Sequence, residues 1–271
     1  MKTLSKVYTA LIFIILYAPI AVMVLFSFNS SNSTGVFTGF STYWYKELFN
    51  DPATLEALKN TLVLAVSSSA IATIIGTVAA VGISKLKSKH TQSAISTVTN
   101  IPMMNPDIVT GISMMLLFVF VSQALGMSQT LSFGTVLIAH VTFNLPYVIL
   151  SVMPKIRQMD KHLTEAAMDL GCTPIKAFFK VKLPNIMPGV LSGMVMAFTL
   201  SLDDFVISYF VGSSNFQTLP LLIYSMTKKK VTPDMYALST LIIITIFILL
   251  VISNVRGSKR ENEKTRGVKS K

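Results

Sequence analysis

The chain has 271 residues, of which 52% are hydrophobic and only 13% charged, a balance that excludes an ordinary soluble domain and predicts repeated membrane crossing. Its formal net charge of +11 forms no continuous basic face, because Lys and Arg sit between apolar runs and at the tail, so a nucleic-acid partner is not expected. The single cysteine, Cys172, excludes an internal disulfide and a cysteine metal cluster.

The first predicted span runs from Val7 to Phe28, behind Lys2 and Lys6. It is longer than a signal-peptide core and no small-x-small cleavage site follows, so residues 1–28 read as a retained signal anchor. Pro19 is tolerable there once neighbouring helices satisfy the freed carbonyl. Residues 29–60 form an external loop with a short interfacial helix over Tyr43–Phe49. Trp44, flanked by Tyr43 and Tyr45, has the composition of a membrane-interface belt, with partner docking as the alternative. Thr61–Ile83 is the second span, and Ala72, Gly76 and Ala80 recur along it at the spacing that lets another helix approach closely. Lys85, Lys87 and Lys89 mark a turn. The third span, within Ser93–Gly126, is interrupted by Pro102 and Pro106 and should be kinked or partly unwound. Phe133–Met153, Gly189–Val211 and Met235–Val255 complete six spans, each close to the ~20 residues a bilayer demands. Residues 61–255 are thus a five-helix core, and residues 256–271 a basic tail beside anionic headgroups.

Eighteen of the 23 Lys and Arg residues fall on one side of this arrangement, at the N-terminus, after span two, in the loop 154–188 and in the tail. Both termini and that loop are therefore expected in the cytoplasm. Lys228 to Lys230 are a local exception on the outside. Acids at membrane depth are costly, and three stand out: Asp107, Asp203 and Asp204. Their predicted depths, and that of His140 about 10 Å from the outer end of span four, let them line one cavity. In span five Gly189, Gly193, Ala197 and Ser201 form a small-residue stripe. Asp204 lies about 60° from Ser201 around the helix and can sit at the packed seam. Asp203 lies about 160° from Ser201 and should face a pore or a second subunit. The bland alternative is that both acids cap a helix break, and that Asp107 caps the helix after Asn105-Pro106. No Lys or Arg lies within a span core, so these acids favour a cationic substrate. Phe143, Tyr147, Phe205 and Tyr209 are aromatic candidates to contact such a cation or its methylene stem. His90 and His162 carry no message, and no metal-binding constellation is present in the sequence.

The loop between spans four and five reads as two short helices with a corner. Asp160 can cap the first, with Leu163, Ala166, Ala167 and Leu170 on one face and Gly171 at its end. Thr173-Pro174 opens the second, whose apolar face is Ile175, Phe178 and Phe179 and whose charge is Lys176, Lys180 and Lys182. Leu183-Pro184 and Pro188 should stop it. Glu165-Ala166-Ala167, Gly171 and Leu183-Pro184 resemble the EAA signature of ABC importer permeases in spacing as well as identity. Phe26-Ser-Phe-Asn29, Asn105-Pro-Asp-Ile-Val109, His140-Val-Thr-Phe143, Phe198-Thr-Leu-Ser-Leu-Asp-Asp204 and Leu219-Pro-Leu-Leu-Ile-Tyr-Ser-Met226 extend the likeness over almost the whole chain. Together these motifs are similar to the PotC-like permeases of spermidine/putrescine ABC importers.

The resemblance implies an all-α membrane protein of six transmembrane helices with the type I ABC importer permease (MetI-like) fold and cytoplasmic coupling helices. It implies a bacterial inner-membrane subunit paired with a homologous PotB-like permease, two PotA-like ATPases and a PotD-like extracellular binding protein. Glu165, Ala166, Ala167, Gly171, Leu183 and Pro184 would couple to the ATPase, and Asp107, Asp203, Asp204, Tyr209 and His140 would bind polyamine. The chain shows no glycine-lysine phosphate loop, so ATP and Mg would belong to the partner ATPase and the chain itself needs no cofactor. Permeases for other organic cations or solutes share parts of these motifs. A proton-coupled secondary transporter is the rival from another class, and it leaves the loop signature unexplained.

Overall fold

The computed structural model describes residues 2–33, 35–127, 131–160, 162–213, 216–228, 233–248 and 251. Its helices are α1 (Lys2–Phe26), α2 (Tyr43–Asn50), α3 (Pro52–Ser84), α4 (Lys89–Met104), α5 (Asp107–Ala124), α6 (Phe133–Gln158) and α7 (His162–Asp169). They continue with α8 (Pro174–Ala177), a π turn (Phe178–Lys182), α9 (Leu183–Asp203), α10 (Val206–Val211), α11 (Leu219–Thr227) and α12 (Pro233–Ile248). Among the described residues the nearest thing to a strand is an isolated bridge between Asn29 and Phe40. The chain divides into two compact units, residues 1–58 with 219–249 and residues 59–218 with 250–271.

In the first unit α1 is apolar all round, and none of its membrane-length window is buried within the chain. A helix surrounded by hydrocarbon needs no polar face. Beyond it the chain folds around the fully buried Asn29 side chain, which donates to the carbonyls of Ser33 and Val36 and accepts from the Thr38 N–H and hydroxyl. The Trp44 indole donates to the Asn29 carbonyl at 2.8 Å. Trp44 is only 8% exposed and packs with Leu48, Ala57, Leu219, Leu222, Ala237 and Leu238. This corrects the belt assignment, because a buried indole with a protein acceptor is a core residue, not an interface anchor. Asp51 joins α2 to α3. Its carboxylate accepts from the Thr54 hydroxyl at 2.6 Å and from the N–H groups of Ala53 and Thr54, with Pro52 at the first helical position. Those bonds, the Thr54 hydroxyl first, hold the Asp51 carboxyl below the usual carboxylate range.

The second unit is built on small residues. A Cβ on Gly76 of α3 would meet the Val148 side chain of α6 at 2.7 Å, and one on Gly189 of α9 would meet the Ser151 carbonyl of α6 at 2.7 Å. Gly193 likewise lies against the Val148 backbone. Ala72, Ala80, Val148, Val152, Ile186 and Ala197 fill the resulting seam. Within it the Ser201 hydroxyl lies 2.8 Å from Ser68 Oγ and accepts from Asn144 Nδ2 at 2.7 Å, so α3, α6 and α9 are pinned at one polar point.

Among the described residues five helices are long and apolar enough to cross a membrane, and the shorter apolar helix Pro233–Ile248 coincides with the start of the sixth predicted span. Apart from Val251, the rest of that span, the basic tail and Lys229–Lys230 lie outside the described residues. The third span is two separate helices, α4 and α5, broken at Asn105-Pro106 as expected of Pro106, whereas Pro102 lies inside α4 without interrupting it. The fifth differs from expectation. Leu183-Pro184 and Pro188 do not stop the loop helix, which continues from Pro174 to Asp203 as one helical run. Pro188 lies inside α9, and at Pro184 the π turn is the physical reason. The Leu183 N–H reaches back five residues to the Phe178 carbonyl, so Pro184 falls in the first turn of α9, where its missing N–H costs little.

Candidate functional site

The helical run beginning at Pro174 ends at Asp203 and restarts as α10 two residues beyond Asp204. A break inside an apolar segment leaves backbone groups to be satisfied, and Asp204 supplies the acceptors for the restart. Its carboxylate accepts from the N–H groups of Ile207 and Ser208, at 3.2 and 2.8 Å, and from the Ser208 hydroxyl at 2.9 Å. The His140 ring of α6 closes the cluster, with Nε2 3.3 Å from Asp204 Oδ2 and 3.1 Å from Ser208 Oγ. The His140 and Asp204 side chains are 1% and 8% exposed, so this is a buried, hydrogen-bonded pair. The sequence allows Asp204 a packed, hydrogen-bonded position, and the structure buries it between His140 of α6 and the first turn of α10.

Asp203 has the opposite environment. It is exposed, at the last residue of α9, and its carboxylate makes no side-chain hydrogen bond or ion pair with any described residue. Asp107, the first residue of α5, is exposed in the same way. Tyr209 is exposed on α10, its ring 5.5 Å from that of Phe205 and 5.3 Å from that of Phe210. Phe143 and Tyr147 form a further ring pair at 5.5 Å, and the Asp107 carboxylate is within electrostatic reach of Tyr147. Gly111, one turn after Asp107, packs beneath Phe210 and the Val206 carbonyl, so α5 and α10 run against each other. Of the five candidates, then, His140 and Asp204 are in contact, Asp203 and Tyr209 flank them along the chain, and Asp107 stands on the helix packed beside α10. Ser208 and Asn144 were not singled out in the sequence. Ser208 lies in the first turn of α10, where the Asp204 carboxylate ahead of the helix reaches its N–H, and Asn144 follows His140 by four residues on the same face of α6.

The loop candidates form a second locus. His162 N–H donates to Asp160 at the start of α7, and Glu165 lies 3.0 Å from the His162 ring. At the other end Gly171 takes φ +85°, Cys172 N–H reaches the Ala167 carbonyl and Gly171 N–H the Met168 carbonyl. These are the paired bonds of a glycine-terminated helix, and the left-handed φ is what requires glycine there. The Thr173 hydroxyl then accepts from Lys176 N–H to open α8. Glu165, Ala166, Gly171 and Pro184 are exposed, whereas Ala167 is half-buried and Leu183 packs on the α3–α6–α9 core. Leu163, Met168, Leu170, Ile175 and Phe179 are all exposed, an apolar surface that no other described residue covers. The expected apolar faces of the two loop helices therefore point outward.

Comparison with known proteins places these features in context. The family described as "Binding-protein-dependent transport system inner membrane component" matches residues 72–256. The putrescine transport system permease protein PotI of Escherichia coli (strain K12) is 39% identical over 94% of this chain and 91% of its own length. The spermidine/putrescine transport system permease protein PotC of the same organism is 36% identical over 95% of each chain. Among solved structures, a chain of a bacterial ABC transporter that imports the acidic polysaccharide alginate matches with a TM-score of 0.76 over 95% of both chains. At 14% identity that likeness speaks for the fold alone.

Proposed function

Because the chain belongs to the family of binding-protein-dependent transport system inner membrane components, we propose that it is the permease subunit through which an ATP-driven importer carries polyamines. It is a transport subunit, not an enzyme. The observation that carries the substrate class is the likeness, over nearly the full chain, to permeases for putrescine and for spermidine/putrescine. The site supports it physically. Asp203 and Asp107 are exposed carboxylates with no ion pair among the described residues, and the ring pairs Phe205–Tyr209 and Phe143–Tyr147 lie on the adjoining segments, which suits ammonium groups separated by methylene stems.

In this reading Asp203, Asp107 and Tyr209 contact the substrate, and Asp204 with His140 hold the helix break that presents Asp203. The chain pairs with a homologous PotB-like permease to enclose the path. Two PotA-like ATPases bind ATP and Mg and seat the loop carrying Glu165, Ala166, Ala167, Gly171, Leu183 and Pro184. A PotD-like binding protein delivers substrate from outside, and both termini of the chain lie in the cytoplasm. A continuous helix from Pro174 to Asp203 supports direct mechanical coupling between loop and break. The test is uptake of labelled putrescine and spermidine into vesicles holding the reconstituted complex, with competing amines and anions. Uptake should require ATP and be displaced by amines alone. Competition by anions, or ATP-independent uptake, refutes the proposal.

A further inference from the structure

The segment that follows α1 presents an aromatic ridge whose depth is fixed by the membrane helix itself. Residues 27–45 contain no charged side chain. The ring of Phe37 stands 6.1 Å from that of Phe26, the last residue of α1, and the ring of Phe40 stacks 5.0 Å from that of Phe28. Phe28 also lies 5.0 Å from the Tyr45 ring, whose hydroxyl is 2.7 Å from Ser27 Oγ. Because Asn29 ties down residues 33, 36 and 38, Phe37 and Phe40 are held against the end of the span rather than on a free loop. Yet Phe40 is 73% exposed, Val36 62%, Leu25 62% and Phe37 48%. Ser27 and Asn29 are buried and hold the fold, while these large apolar side chains stand exposed beside Ser30, Asn32, Thr38 and Thr42. So large an uncharged apolar exposure makes little sense in water.

We propose that Leu25, Val36, Phe37 and Phe40 form an insertion ridge that lies in the headgroup–acyl boundary of the bilayer, at the face where α1 ends. The occupant is lipid for two reasons. The ridge is continuous with α1, whose membrane-length window is wholly unburied, and Phe37 meets the ring of Phe26, the last residue of that helix, edge to face. It also lacks any charge that would pair with a soluble protein surface, while uncharged aromatic rings are the side chains that partition to the interface. The ridge takes over the anchoring role that composition assigns to Trp44, which the fold uses for its core.

The experiment uses the full chain with its partner subunits in phosphatidylethanolamine/phosphatidylglycerol vesicles. A spin label is attached to Phe37→Cys, Phe40→Cys and the control Asn32→Cys, each in a Cys172→Ala background. The ratio of oxygen to nickel-chelate accessibility should be several-fold higher at positions 37 and 40 than at 32, with no soluble binding protein present. Equal ratios at all three positions overturn the proposal. So does a ratio that rises only when binding protein is added, which would make the ridge a protein-docking face. Should the labelled proteins fail to assemble, Phe40→Trp gives the same answer. Its added emission should be quenched in vesicles of brominated phospholipid, beyond any change seen for Trp44 in the parent chain, and unquenched emission overturns the proposal.

Discussion

Adjacent aspartates with the same chemistry have different work here. Asp204 is buried, bonded to Ser208 and His140, and caps α10; Asp203 is exposed, with no ion pair among the described residues. Removing one partner of a buried pair costs about 3–5 kcal/mol, so Asp204→Ala should lower the yield of folded, inserted complex. Asp203→Asn should leave assembly intact and reduce substrate capture by about ten- to a hundredfold, the worth of one charge-assisted hydrogen bond. Uptake normalised to inserted complex separates the two effects. Wild-type uptake by Asp203→Asn would show that the acid faces the path without touching substrate. Asp51 gives a pH handle outside the membrane. Its folded pKa is depressed, so its capping contribution is complete above the ordinary carboxylate range and is lost as pH falls through and below that range. Asp51→Ala should remove about 0.5–2 kcal/mol of stability at neutral pH and flatten the acid limb of the stability profile. Thermal melts from pH 3 to 7 measure both.

Helices in this protein are placed by what they lack. Gly189 lets α9 sit on the Ser151 carbonyl, and a Cβ there would arrive at 2.7 Å from immobile backbone. Gly189→Ala should therefore destabilise by about 1–3 kcal/mol, read as a lower melting temperature of the purified complex, whereas Gly82→Ala, with open space around it, should not. The loop helices α7 and α8 make the reverse argument, because their apolar side chains are uncovered. Leu170→Asp and Ile175→Asp should abolish retention of the ATPase while the chain still inserts at wild-type levels, judged by co-purification from solubilised membranes. These elements were legible in the sequence to different degrees, for physical reasons. The ends of α7 and the start of α8 depend on Asp160, Gly171 and Thr173-Pro174, all local signals, and they fell where expected. The passage of the helix through Leu183-Pro184 was not legible, because it depends on a bond that skips an extra residue, which no composition rule announces. Trp44 was misread since its acceptor lies fifteen residues away, inside a fold organised by one asparagine. His140 and Asp204 could be matched in depth but not in contact, which only the packing of α6 on α9 and α10 decides.

As a molecule, the chain leaves too much apolar helix uncovered to work alone. Only 11% of the membrane-length window of α5 and none of that of α1 is buried within it. Lipid can cover some of that surface. The side of α5 that begins at Asp107 is better suited to enclosing an aqueous path with another subunit, since an exposed acid at its first turn is costly against hydrocarbon. Crosslinking through Ile108→Cys in native membranes should therefore capture a second, different permease of similar size. Recovery of active homodimers alone would contradict this.

The joint at Phe178–Lys182 has a further consequence. Had Pro184 ended the helix, a push on the loop would dissipate in a hinge. Instead Pro174 and Asp203 are the two ends of a single rod of 30 residues, with a contour of about 45 Å. Pivoted at its loop end, such a rod sweeps its far end through about 4 Å for a tilt of about 5°. That is more than the reach of a hydrogen bond, so a small rotation at the surface is enough to make or release a contact at Asp203. The one wide turn in its backbone is therefore a stiffness setting: tightened it would break the rod at the proline, and loosened it would absorb the stroke.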